Sequence, residues 1–447
     1  MEPLHNINWH TDGFAELERT LNGESRTPLH ALRRDALARF SALGFPTTEL
    51  EEWRFTNIVP ITRLSFTPRL AYDGAGVTQQ SIDLHLIRGL DCHLLVFVNG
   101  HYAAGFSSVG PLPDGTVVGN LAGAMKSHPA LIEKHLARHA AYGDNAFAAL
   151  NTAFLQEGAC VILPEGAVLE RPVFVLYLST EAEEPFVTSP RNLYIAGAGS
   201  RAAIIEQFSA IGHATYLTNV VSELVLGRGA VLEHDRIQNE SDQAFHISNF
   251  QVAQEGGSSF ISNAVSFGGS IVRNNITAQL NGEGCDCTLN GLSLATGTQL
   301  IDSHTVIDHA SPRCVSHELY KAILEGRSRG VFNGKILVRQ DAQKTDAKQT
   351  NKTLLLSEDA MIDTKPQLEI FADDVKCTHG ATVGQLDEEQ IFYLRARGLG
   401  LDEARDILTN AFASDVIQRM KVEPIREFLQ ATLHVRLCRG RIGMMKP

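Results

Sequence analysis

Between residues 246 and 307 short pieces of one kind recur: HISNFQV from 246, FISNAVS from 260, IVRNNIT from 271, CTLNGLS from 287 and IDSHTVI from 301. Their polar centres fall about 12 to 15 residues apart, close enough to count as one loosely repeated unit. A strand of four to six residues, a turn and a return to the same axial position need roughly that spacing. The repeat therefore predicts a parallel solenoid in which each rung satisfies the backbone hydrogen bonds of the next. Val, Ile, Leu and Phe should point inward, with Asn and Ser in ladders at the turns.

The same texture extends upstream through CVILPEGAVLERPVFVLYLS (160–179), NLYIAGAGSRAAIIEQF (192–208) and TYLTNVVSELVLGRGAVLEHDRIQ (215–238). These are brief β-branched runs split by glycine and polar residues, with little room for helices. An antiparallel sandwich is the main rival, but it should carry more hairpin signals than the strong one at Asn99-Gly100, inside HLLVFVNGHYAAGF (93–106). Gly256, Gly257, Gly268, Gly269, Gly282 and Gly284 fit turns with positive φ. None of them opens a GxGxxG followed by a helix, and no GxxxxGK[ST] occurs, so the chain is not expected to hydrolyse nucleotides itself.

Helical periodicity returns at both ends. TPLHALRRDALARFSAL (27–43) sets Leu29, Leu32, Leu37, Phe40 and Leu43 near one face and stops at Gly44 and Pro46, after a weaker helix over 12–21. Residues 129–155 read as helix. After Asp387, DEEQIFYLRARG, LDEARDILTNAFASDVIQRM and PIREFLQATLHVRLC read as three more, with Asp387 and Asp402 as caps and a stripe from Ile391 through Leu401 and Phe412 to Val416. The organisation expected is a mostly helical region over 1–155 with a hairpin near 94–106, a β-helix over 156–386 and a helical region over 387–447. Within the first of these, Trp53 and Phe55 in ELEEWRFTNI are read as ordinary packing residues, with anchoring of the helical region onto the next part of the chain as the alternative.

Composition excludes several function classes. Lys and Arg number 39 against 51 Asp and Glu, a formal charge of -12, which disfavours non-specific attraction to nucleic acid or anionic membrane. Apolar residues make up 44%, the profile of a folded chain, yet no stretch approaches a membrane span and the start lacks a signal-peptide pattern. Seven scattered cysteines without a CxxC pair fit a reducing compartment.

The ends of the repeat region carry a resemblance. DDVKCTHGATVGQLDEEQIFYLRARGL (373–399), VFNGKILVRQDAQKTDAKQTNKTLLLS (331–357) and DTKPQLEIFADD (363–374) resemble the SufB/SufD family of iron–sulfur cluster assembly proteins, and LGFPTTELEEWRFTN (43–57) looks like its SufD branch. The resemblance implies a mainly β protein with a right-handed parallel β-helix core flanked by N-terminal and C-terminal α-helical regions. It implies a non-catalytic scaffold subunit that pairs with a SufB-like subunit and binds a SufC-like ATPase through the C-terminal helices. A cysteine desulfurase system would feed it sulfur indirectly. It further implies a transient iron–sulfur cluster shared with the partner and reduced flavin at the level of the complex. The histidine that the family places in its CxHGAT-like segment falls on His379. The absence of an Arg/Ser-rich leader adds a cytoplasmic location in a bacterium, and the absence of a SufB-type CxxC favours the SufD branch.

Chemistry gives this position independent, weaker support. A neutral imidazole ligates iron, Cys377 two residues earlier would offer a softer thiolate, and residues i and i+2 of a strand share a face. Other groupings are read as structural. Cys285 and Cys287 also share a face but complete no tetrahedral site. His304, His309, Cys314 and His317 match no closed zinc spacing, and His135 with His139 lack a third ligand. Asp302 and Asp308 are the nearest approach to a glycosidase pair. Lys335, Arg339, Lys344, Lys348 and Lys352 read as solvated charges beside Asp341 and Asp346. The competing reading is a purely structural stabiliser of the SufB-like subunit with no ligand of its own.

Overall fold

In the computed structural model, which describes residues 8–21, 27–74 and 76–444, the chain is mainly β, with a β-solenoid of about 8 turns between N-terminal and C-terminal helices. The reading of residues 1–7 and the side chain of Cys438 lie outside what is described. From Arg191–Ala196 onward, successive strands alternate between two sheets. One holds 11 strands and ends at Met361–Ile370; the other holds 10 and ends at Lys376–Gly384.

Each recurrent piece is therefore half a turn. HISNFQV, IVRNNIT and IDSHTVI stack in the first sheet through parallel, in-register pairs such as Phe245 with Ile271 and Ile271 with Leu300. FISNAVS and CTLNGLS stack in the second, with Phe260 opposite Cys287. Most strands here run to 10 residues rather than four to six, because each continues through a flat side into the next bend. The turns between them are glycine-dependent. Gly257 and Gly284 have φ of 69° and 72°, and a Cβ on Gly282 would sit 2.0 Å from the backbone nitrogen of Gly256, so neighbouring turns stack through bare backbone.

Away from the last rungs, both faces of both sheets are largely covered, which explains why many strands read as nearly continuous apolar runs. Inside, Phe97, Tyr177 and Phe208 form a column of stacked rings, with centroids 4.9 and 4.8 Å apart. Such pairs add about 0.5–1.5 kcal/mol each beyond burial. Outside the first sheet, Leu217, Phe245 and Ile271 pack on Phe147, Leu150 and Trp9 of the N-terminal region. Outside the second, Ile237, Val265 and Leu292 pack on Val416, Ile417, Leu429 and Leu433 of the C-terminal helices. Asparagine ladders do form, but mid-strand beneath those helices rather than at the turns: Asn290 donates to Asn263 (2.9 Å) and Asn263 to Asp235 (2.7 Å).

The Asn99-Gly100 hairpin is present, joining His93–Val98 to His101–Tyr102 with φ of 49° and 85° at the turn. Helix Pro28–Leu43 starts at Thr27, whose hydroxyl accepts from His30 N, and ends at Gly44 with φ of 66°. The single helix read over 129–155 is instead two, Pro129–His135 and Ala146–Ala153. Between them the backbone N–H groups of Ala137, His139 and Ala140 turn away to Glu223, and Ala137 takes φ of 58°. At the C-terminus Asp387 caps Glu388–Ala396 as expected, whereas Leu401–Ile417 is capped by Gly400, with Asp402 inside its first turn.

The Trp53 segment does more than the ordinary packing expected of it: it anchors the N-terminal region onto the solenoid. The Arg273 guanidinium lies 3.9 Å over the Trp53 ring and pairs with Asp302 at 2.8 Å, while Thr56 donates to the same carboxylate. His304 bridges Asp302 (3.0 Å) and Glu52 (3.3 Å). Burial lowers the affinity of His304 for its proton, but Asp302 and Glu52 outweigh burial and raise its pKa above 6.5. A raised histidine stabilises fully below 6.5 and loses that contribution as pH climbs through its folded value. The stability difference between the unaltered chain and His304→Gln should thus shrink as pH rises from about 6 towards 8. Urea midpoints at several pH values test this; a difference that grows with pH would refute the clasp.

Candidate functional site

The two sheets end in open edges. In the closing strand, Lys376 N donates to Thr345 O, so by the alternation of a parallel ladder Thr378, Gly380 and Thr382 also face inward to the preceding rung. The N–H and C=O groups of Cys377, His379, Ala381 and Val383 point the other way, where the described chain supplies no strand. The strand Met361–Ile370 is likewise an edge, and Pro366 is accommodated in it because its missing N–H falls on the open side. His379 and its neighbours up to Gly384 are exposed.

The register puts Cys377 and His379 on interior-facing ladders that run out at this mouth. Cys377 follows Cys287, Ser316 and Ala347, and packs with Ile336, Val338 and Ala372. His379 follows Leu289, Glu318 and Gln349. The sequence reading that paired the two on one face holds, but their surroundings differ. Cys377 is half-buried, and burial pushes its thiol pKa up, which disfavours the thiolate in the isolated chain. His379 stands at the rim.

Two polar residues beneath the rim escaped the sequence reading. Gln349, the strand partner of His379, donates to Glu318 at 2.7 Å, and its carbonyl oxygen is buried without a partner. Burial pushes Glu318 up to about 7. Neither was legible because the alignment of 318, 349 and 379 depends on turn lengths, not on local pattern. Among the described residues, no three His, Cys, Asp or Glu side chains stand close enough together to hold a metal ion. Among the described residues, no third donor of these types joins Cys377 and His379.

The remaining candidates disperse. His309 bonds Ser316 (2.9 Å), Cys314 meets Cys285, and His317 lies on another rung face, so these do not converge with His304. Asp302 pairs with Arg273 and Asp308 with Arg339, which removes the glycosidase-like pair. His135 and His139 stack 5.8 Å apart without a third ligand among the described residues. Lys335, Lys344 and Lys348 lie against Glu369, Asp374 and Asp346. No described helix is long and apolar enough to cross a membrane.

Comparison with known proteins settles the family. Residues 177–412 match the family model described as SUF system FeS cluster assembly, SufBD core domain, and residues 6–175 match the SufBD protein N-terminal region. The chain belongs to the SufBD family. A SufBD family protein of Synechocystis is 30% identical, covering 90% of each chain. The Escherichia coli iron–sulfur cluster assembly protein SufD is also 30% identical, over 89% of this chain and 90% of its own. The Bacillus subtilis SufD is 26% identical over 91% and 93%. As a SufBD protein the chain has its role in iron–sulfur cluster assembly, and the solenoid spans most of the matched core.

Proposed function

We propose that this chain is the SufD-like scaffold subunit of a cytoplasmic SUF complex, pairing with a SufB-like subunit through the open end of its solenoid. The observation that carries this reading is the pair of exposed edge strands, Met361–Ile370 and Lys376–Gly384, in a fold that otherwise covers its sheets. A second solenoid end fits such an edge by continuing the ladder, which gives main-chain hydrogen bonds as well as side-chain contacts. At that junction His379, with Cys377 behind it, would offer a ligand to a nascent cluster whose other donors come from the partner. The cluster is cargo here. The C-terminal helices would hold a SufC-like ATPase: Phe392 and Tyr393 on Glu388–Ala396 are 74% and 57% exposed, and Leu401 and Ile407 are exposed nearby.

The test separates the two docking surfaces. Ala381→Pro removes an N–H that faces the open side and leaves the ladder to Asp346–Leu355 intact. In co-expression with SufB-like and SufC-like chains, it should weaken recovery of the SufB-like chain roughly tenfold, about 1.4 kcal/mol. Recovery of the ATPase directly bound through the C-terminal helices should persist. Unchanged recovery of the SufB-like chain would overturn the edge-to-edge pairing.

A further inference from the structure

Two and three strands below the closing strand, two thiols stand side by side on neighbouring rungs. Cys285 and Cys314 immediately precede strands Asp286–Ala295 and Val315–Leu324, whose register sets Asp286 opposite Val315. The cysteines therefore stand side by side at the same bend of successive turns, and both are buried. Their sulfurs converge on one acceptor: the carbonyl oxygen of Gly282 lies 3.1 Å from Cys285 Sγ and 3.3 Å from Cys314 Sγ. Adjacent strands are about 4.8 Å apart. That lies within the roughly 4.4–6.8 Å between Cα atoms that a disulfide spans.

The cover over the pair is thin and made of turns. Asn281–Gly284 passes above the sulfurs with Glu283 and Gly284 exposed, and a Cβ at Gly284 would meet open space. Arg313, itself at φ of 58°, reaches from the next turn to pair with Glu283 between two exposed side chains. Opening this two-turn flap, without unfolding a strand, would admit a small oxidant. The thiols are also inequivalent: their mutual proximity pulls the pKa of Cys285 down and pushes that of Cys314 up. Cys287, two residues from Cys285, faces Ser316 instead, and burial pushes its pKa well up.

We propose that Cys285 and Cys314 form a redox modification site, a dithiol that a hydroperoxide converts into a disulfide joining two rungs. The Cys285 thiolate attacks one peroxide oxygen; an S–O bond forms, the O–O bond breaks, and the departing oxygen takes up the proton that Cys285 released. The Cys314 sulfur then attacks the Cys285 sulfenic acid; the S–S bond forms, the S–O bond breaks, and the hydroxyl leaves as water with the Cys314 proton. Two electrons pass from the sulfurs to the peroxide. The disulfide would fasten the solenoid beneath the helix Leu401–Ile417, which contacts both strands.

The experiment treats the reduced full chain with hydrogen peroxide, blocks free thiols under denaturing conditions, and maps the peptides by mass spectrometry. The expected product links Cys285 to Cys314 with the loss of two hydrogens, reverts with dithiothreitol, persists in Cys287→Ser and vanishes in Cys314→Ser. Thiols that all remain free, a Cys285 link to Cys287, or Cys285 oxidised beyond sulfenic acid while Cys314 stays free would each overturn the proposal. The unaltered chain and Cys287→Ser decide the matter even where Cys314→Ser does not fold.

Discussion

Replacing Arg191 with alanine should destabilise the chain by about 3–5 kcal/mol, the cost of breaking a buried ion pair from one side. Arg191 and Glu223 are both fully buried, paired at 2.7 Å. The guanidinium also donates to Asn151 (3.2 Å) and Thr152 (3.1 Å) of helix Ala146–Ala153, and the carboxylate collects the N–H groups of Ala137, His139 and Ala140. The pair thus ties the N-terminal helical region to the solenoid, and removing the cation strands an anion in a dry interface. Burial alone would push Glu223 up, but Arg191 and the three N–H groups outweigh it and hold the carboxyl below its usual range. Such a group stabilises above its unfolded value near 4.5 and loses that contribution as pH falls through its folded value. In Arg191→Ala the acid loss should begin at higher pH than in the unaltered chain. Urea unfolding, with amide hydrogen exchange at 137, 139 and 140, measures both effects. Arg191→Lys should fall between, because it keeps a charge but not the fork. A loss below about 1 kcal/mol, the range of exposed pairs, would mean the two charges are not as desolvated as described.

The same interface marks where sequence reading stops. The recurrence of HISNFQV-like pieces was legible because every rung needs a strand of similar inward-facing composition, and the Asn99-Gly100 hairpin because that pair suits positive φ. The break between His135 and Ala146 was not, since its cause is a carboxylate on a strand some eighty residues away, at 2.8 Å from His139 N. Cys285 illustrates the same limit. Local spacing coupled it to Cys287, whereas its neighbour in space is Cys314, one rung on. His379 was found through a motif, yet Gln349 and Glu318 beneath it could be placed only once the register was known. Period within a strand can be read from a sequence; alignment between rungs is set by turns whose lengths vary.

His379→Ala, in a complex with SufB-like and SufC-like partners at unchanged subunit ratio, should lower iron and acid-labile sulfide per complex by roughly tenfold. Loss of even an outer-shell partner costs about 10–100-fold in metal affinity, and a terminal ligand should cost at least as much. The histidine sits at the rim on an exposed edge, so its removal opens no cavity and strands no buried group, and the complex should assemble as before. Cys377→Ser should cost less, because the half-buried thiol is held in its neutral form and packs with Ile336 and Val338. This ranking distinguishes ligand from packing roles: if Cys377 were the main donor, the order would reverse. Equal cluster content in the unaltered and His379→Ala complexes would favour the competing account, in which the chain supplies only shape and an edge for its partner. Loss of the partner along with the cluster would instead assign His379 to the docking contact. Iron, sulfide and subunit stoichiometry must therefore be measured on the same preparation, since only cluster loss with the ratio preserved supports a ligand.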